Sequence, residues 1–120
     1  MDKKLVGRFG EQAAAEYLKK KHYKSIGLNY SCRFGEIDLI AQNKKYIVFA
    51  EVKLRKSDAF AEAREFVTAS KQEKIIKTAS LWLTQNETEL QPRFDVIEIY
   101  APEGATSKSL KINHIENAFQ

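Results

Sequence analysis

The run from Glu36 to Lys53 constrains this chain most. Two apolar stretches, Glu36 to Gln42 and Tyr46 to Lys53, flank the polar turn Asn43-Lys44-Lys45. Ile37, Leu39 and Ala41 alternate in the first stretch; Tyr46, Val48, Ala50 and Val52 alternate in the second. A period of two reads as a strand. Both faces carry apolar residues near the middle, so the hairpin is expected at the centre of a sheet and covered on both sides. Charged residues nevertheless interrupt it. Side chains alternate across a strand, so Glu36 shares a face with Asp38, and Glu51 shares one with Lys53. A hairpin turning about Lys44 and Lys45 sets Asp38 opposite Glu51 on the same face. Opposed carboxylates repel, and their burial is costly unless something neutralises them. Two neutralisers fit the spacing. One is a divalent cation, Mg²⁺ or Mn²⁺, between Asp38 and Glu51, with water and substrate oxygens completing the shell. The other is a salt-bridge cluster with Lys53 and nearby arginines.

The remaining chain supplies elements around this hairpin. From about Val6 to Lys21 the apolar spacing predicts a helix, and His22 to Tyr30 predicts a strand. Ser31 to Gly35 reads as a loop. Ser57 to Ser70 reads as another, with room for a short helix through Phe60 to Phe66. Ser70-Lys71-Gln72-Glu73 fits a capping box with Ser70 as the N-cap, and opens a helix with Ile75, Ile76, Ala79, Trp82 and Leu83 on its inner stripe. Pro92 ends the following loop, Arg93 to Tyr100 is a strand, and Leu110 to Ile115 a short edge strand. The order points to an α/β fold with a mixed sheet flanked by helices.

At 120 residues, one domain with one core is expected over residues 1–120. The net charge of +4, from 20 basic and 16 acidic residues, leans only slightly towards a polyanionic partner. Cys32 is the single cysteine, which excludes an internal disulfide and, with only two scattered histidines, a Cys-rich zinc site. His22, His114 and Cys32 read as structural, and Tyr17, Tyr23, Phe60 and Phe66 as core residues rather than base-stacking platforms. No apolar run reaches the ~18 residues of a membrane span, and the first residues lack a stretch of signal-peptide length. The expected location is the cytoplasm. Gly-rich phosphate loops, HExxH and GxSxG are absent from the sequence.

Asp38, followed in the next strand by Glu51-Val52-Lys53, resembles the PD-(D/E)xK signature of the restriction-endonuclease-like nuclease superfamily. More closely, the chain resembles the YraN-like family of small bacterial proteins. Gly7-Arg8-Phe9-Gly10-Glu11-Gln12-Ala13-Ala14, Asn29 to Ala41, Phe49 to Arg55 and Arg93-Phe94-Asp95-Val96-Ile97 carry that resemblance in the family's order. The proline of the signature has no counterpart, since Ile37 precedes Asp38; Ser31 and Ala61 stand where relatives often carry Arg and Gly.

The resemblance implies an αβββαβ core and a nuclease-like site. Asp38 and Glu51 would hold Mg²⁺ or Mn²⁺, with the Val52 carbonyl as a further ligand, and Lys53 would orient or activate the attacking water. The family is also similar to archaeal Holliday-junction resolvases, in which the N-terminal helix adds an acid; the matching position is Glu11. Glu36 is an auxiliary acid or an edge salt-bridge partner. Gln72 either points into the site or satisfies backbone groups at its helix start. Arg8, Arg33, Arg55 and Lys71 are the candidates for phosphate contact. The expected activity is metal-dependent cleavage of nucleic acid, with DNA as partner, a preference for branched or single-stranded forms, and dimerisation by analogy with resolvases. The rivals are a non-catalytic nucleic-acid-binding module on the same fold and a protein-interaction scaffold.

Overall fold

A computed structural model describes residues 3–55, 67–101 and 110–120. The short helix considered for 60–66, and Ala61, lie outside them. The described elements are α1 (Lys3–Lys20), β1 (Lys24–Cys32), β2 (Gly35–Gln42), β3 (Tyr46–Arg55), α2 (Ala69–Gln85), β4 (Gln91–Tyr100) and β5 (Lys111–Phe119). This is the expected αβββαβ order followed by one more strand. The strands form one mixed sheet in the order β1-β2-β3-β4-β5. Neighbours are antiparallel except β3 and β4, which run parallel. A parallel pair needs a crossover, and α2 lies within it.

The double apolar pattern of the central hairpin produces a core on each face. Ile40, Ile47, Phe49 and Val96 pack with Ile75 and Ala79 of α2. Leu39, Ala41, Val48, Ala50, Ile97 and Ile99 pack with Ala14 and Leu18 of α1. Gly10 of α1 faces the sheet, where a Cβ would lie 3.6 Å from Val52 Cγ1, in ordinary contact.

Boundaries differ from the sequence expectation for local reasons. β1 starts at Lys24 rather than His22 because the preceding residues close α1. Tyr23 N–H bonds Leu18 O at 2.9 Å and His22 N–H bonds Lys19 O at 3.0 Å, with His22 left-handed at φ 71°. The loop expected at 31–35 shrinks to Arg33-Phe34, since Cys32 already pairs with Gly35. β5 continues past Ile115 to Phe119, whose ring stacks on Phe94 at 5.3 Å. The N-cap of α2 is Thr68, not Ser70. Thr68 Oγ1 accepts from Lys71 N–H at 3.2 Å, while Glu73, the expected capping-box partner, pairs with Lys77 at 3.0 Å.

Candidate functional site

The β2–β3 ladder has the register expected from a turn at Lys44 and Lys45. Leu39 pairs with Ala50 and Ile40 with Phe49. One further step in that register sets Asp38 against Glu51, but the ladder stops at Leu39 and Ala50. There the Asp38 side chain takes over: its Oδ2 accepts from Val52 N–H at 2.9 Å. On the other side of β2, the pairs Leu28–Leu39 and Tyr30–Ile37 bracket Asn29, which is left-handed at φ 52°. Asn29 Nδ2 donates to Glu11 Oε1 at 2.9 Å and so anchors the α1 acid beside the same end of the sheet.

A cavity of about 430 Å³ opens here, lined by Gly35, Glu36, Asp38, Glu51, Lys71 and Lys74, among others. Glu51 is only 7% exposed. Its Oε1 meets two ammonium groups, Lys53 Nζ at 3.4 Å and Lys71 Nζ in a shorter ion pair. Asp38 accepts the Val52 N–H, yet its carboxyl is pushed up to about 7. Burial is the main cause, followed by the charge of Glu51, with Glu11 and Glu36 adding to it. Burial, and then the adjoining Lys71, hold the Lys53 ammonium below its ordinary value. Burial is the largest single influence on Lys71 and would lower it, but its contacts with Glu51 and Lys53 and the charges of Glu51 and Asp38 together raise it. The site thus has one carboxylate paired with lysines and a second whose ionised form is opposed by burial and by the acids around it.

The donors suit a hard cation. Asp38 and Glu51 are oxygen ligands on one cavity wall, and the acids around Asp38 supply the uncompensated charge that a divalent ion would cancel. Among the described residues, no three His, Cys, Asp or Glu side chains form a ready-made cage.

A model of the uncharacterised protein family UPF0102 matches residues 10–99. The chain belongs to that family. A UPF0102 protein of Caldanaerobacter subterraneus subsp. tengcongensis is 50% identical over 121 residues, covering 99% of this chain and 98% of the relative. One from Alkaliphilus oremlandii is 46% identical over 119 residues, covering 97% and 98% respectively. A third, from Vibrio parahaemolyticus, is 43% identical over 118 residues, covering 97% and 93%. The YraN-like resemblance of the sequence is therefore a family membership that runs through the whole length.

Not every expected site residue of this UPF0102 chain meets at the cavity. Glu11, Glu36, Asp38, Glu51, Lys53 and Lys71 converge, through lining positions, ion pairs or their charge on Asp38. Gln72 does not: its Nε2 donates to Val67 O at 2.8 Å. Arg8 is exposed on α1, and Arg33 is exposed with its guanidinium 4.8 Å from the Phe34 ring. Arg55 turns to the buried Glu98, with 3.7 Å between Nε and Oε2. Two participants were missed in the sequence, Asn29 and Lys74, and so was Glu98, the buried partner of Arg55. Asn29 sits inside a predicted strand, where a left-handed residue leaves no periodic trace. Lys74 is exposed one residue before the apolar stripe of α2. Glu98 shares a face with Phe94 and Val96 by alternation, but its register against Lys53 follows only from the parallel pairing.

Proposed function

We propose that this UPF0102 protein is a divalent-cation-dependent phosphodiesterase acting on nucleic acid, with DNA as the substrate. The observation that supports it is the meeting of Asp38, Glu51 and Lys71 on one cavity at the interrupted end of the β2–β3 ladder, with Lys53 paired to Glu51. Asp38 and Glu51 would hold Mg²⁺ or Mn²⁺, with the Val52 carbonyl as a third donor. The bound ion supplies Lewis acidity and a water of low pKa. Lys53, whose ammonium pairs with Glu51, would orient the attacking water and oppose charge on the phosphate. Glu11 is fixed by Asn29 as an auxiliary acid, and Glu36 adds negative charge at the cavity wall. Lys71 and Lys74 face the cavity as phosphate contacts, and Arg8 and Arg33 stand exposed for a longer polyanion. Among the described residues no helix is long and apolar enough to cross a membrane. We place the protein in the cytoplasm, acting as a homodimer where two strands are cut.

The test is incubation with branched, nicked, single-stranded and duplex DNA in Mg²⁺ or Mn²⁺. Glu51→Ala and Asp38→Asn are each expected to lower the rate by more than ~100-fold, because even groups that merely orient a metal ligand are worth 10- to 100-fold. Activity that persists in both variants belongs to a contaminant. No cleavage of any substrate overturns the enzymatic reading.

One observation favours a second reading: Lys53 and Lys71 already neutralise Glu51 without a metal. A non-catalytic nucleic-acid-binding module would bind DNA in EDTA with steep salt dependence and cleave none of it.

A further inference from the structure

We infer that Lys71 is a built-in competitor of the divalent cation at Glu51, and that a nucleic-acid phosphate settles the competition by drawing Lys71 away. The inference rests on the proposed metal site and concerns how that site is loaded. A cation shared by Asp38 and Glu51 needs a carboxylate oxygen of Glu51, and in this structure both Lys71 and Lys53 point at Oε1. Two ammonium groups and a divalent ion around one carboxylate repel one another, so one ammonium has to leave. Lys53 is poorly placed to do so. It lies two residues along β3 from Glu51, in the sheet interior, with its side chain 21% exposed. Lys71 differs on each count. It belongs to another element, its side chain is 41% exposed, and it borders the open cavity together with Lys74.

The backbone at Lys71 is held independently of the ion pair that its side chain makes with Glu51. Lys71 N–H is fixed by the Thr68 hydroxyl, and Gln72 N–H bonds Thr68 O at 2.8 Å. The first turn of α2 therefore stays in place while the ammonium can swing from Glu51 to an anion in the cavity. An incoming phosphate would pair with Lys71, vacate the Glu51 oxygen and let the cation settle. Without that phosphate, Lys71 keeps the carboxylate occupied. Substrate and metal then bind with positive coupling, and each tightens the other by the same factor.

The test has two arms, neither of which reads activity. Mn²⁺ is titrated calorimetrically into wild type, Lys71→Met and Lys71→Arg without DNA. A labelled single-stranded oligonucleotide is then bound to each protein by fluorescence anisotropy, with and without Ca²⁺. Lys71→Met is expected to bind Mn²⁺ about tenfold more tightly than wild type, within the 5- to 150-fold range of ordinary coupling. Lys71→Arg, which keeps the charge, stays close to wild type. Ca²⁺ tightens oligonucleotide binding severalfold in wild type and less than about twofold in Lys71→Met. Equal Mn²⁺ affinity in wild type and Lys71→Met overturns the competition while leaving the metal site standing. An equal gain in Lys71→Arg also overturns it, since charge would then not be the cause. No Mn²⁺ uptake by any of the three sinks both the competition and the metal reading beneath it. Thermal melting in EDTA confirms that each variant is folded before titration.

Discussion

Asp38 is held by two opposing forces, and the balance has a measurable consequence. The Val52 N–H favours its ionised form, but burial and the neighbouring acids push the carboxyl up to about 7. Unfolded, the same group titrates near 3.8. Between those values the native state keeps a proton that the unfolded chain releases. Stability therefore falls as pH rises from about 4 to 7 and levels off above, a loss of about 4 kcal/mol from this group. Asp38→Asn is expected to flatten that slope and to be the more stable protein at pH 8 in metal-free buffer. Urea melts at pH 5, 6, 7 and 8 check it; an unchanged slope in the variant would assign the effect to another group. That Asp38 and Glu51 would come near each other was legible in the sequence, because a short turn and a period of two fix the register as far as Leu39 and Ala50. The lysines were half legible. Lys53 follows from its spacing to Glu51, whereas Lys71 reaches Glu51 only through the docking of a distant helix.

At the level of elements, the start of α2 decides where Lys71 sits. Ser70 with Glu73 makes a convincing capping box on paper, but that box would make Lys71 the first helical residue. With Thr68 as the cap, Lys71 becomes the third helical residue and faces the cavity. Sequence alone cannot separate the two, since Thr and Ser are both good caps and the choice depends on how Ile75 and Ala79 meet the sheet. Thr68→Ala is expected to cost ~1 kcal/mol. Ser70→Ala, at an exposed position, should stay within ~0.5 kcal/mol. Equilibrium denaturation of the pair distinguishes the caps, and a larger loss in Ser70→Ala would restore the capping box. The other elements were read with less difficulty. The apolar repeats of α1, β2, β3 and β4 are long and unambiguous, and only their ends moved, where a Schellman closure or a two-residue turn overrode the local pattern.

Across the molecule, a second buried polar cluster balances the first. Asp95 is fully buried and accepts from Arg93 at 2.9 and 2.8 Å, from Asn117 N–H at 3.0 Å, and meets His114 Nε2 at 2.7 Å. Arg93 also donates to the Tyr23 hydroxyl at 2.7 Å, 70 positions away in the chain. Burial alone would raise the Asp95 carboxyl, but the bonds from His114 and Arg93 outweigh it and hold it below the ordinary range. Its stabilisation is therefore complete at neutral pH and is lost as pH falls through that lowered value. Asp95→Asn removes the buried counter-charge of Arg93, leaving only the exposed Glu116 at 3.9 Å, and is expected to cost ~3 kcal/mol. Mn²⁺ affinity, measured calorimetrically on the folded variant, should not change, because none of Arg93, Asp95 and His114 lines the cavity at Glu51. A shifted affinity would show that the two clusters are coupled. Alternation placed Arg93 and Asp95 on one face, and His114 fills the structural role expected of it, but a partner set drawn from the end of α1, β4 and β5 has no local signature. The parallel pairing of β3 with β4 also has a consequence in time. As the chain leaves the ribosome, β2 and β3 can meet as a local hairpin, carrying Asp38 and Glu51 with only Lys53 for company. The helix that brings Lys71 docks in the crossover to β4, a non-local and therefore slow closure. The nearness of Asp38 to Glu51 thus rests on a local hairpin, and the counter-charge from Lys71 on a non-local closure.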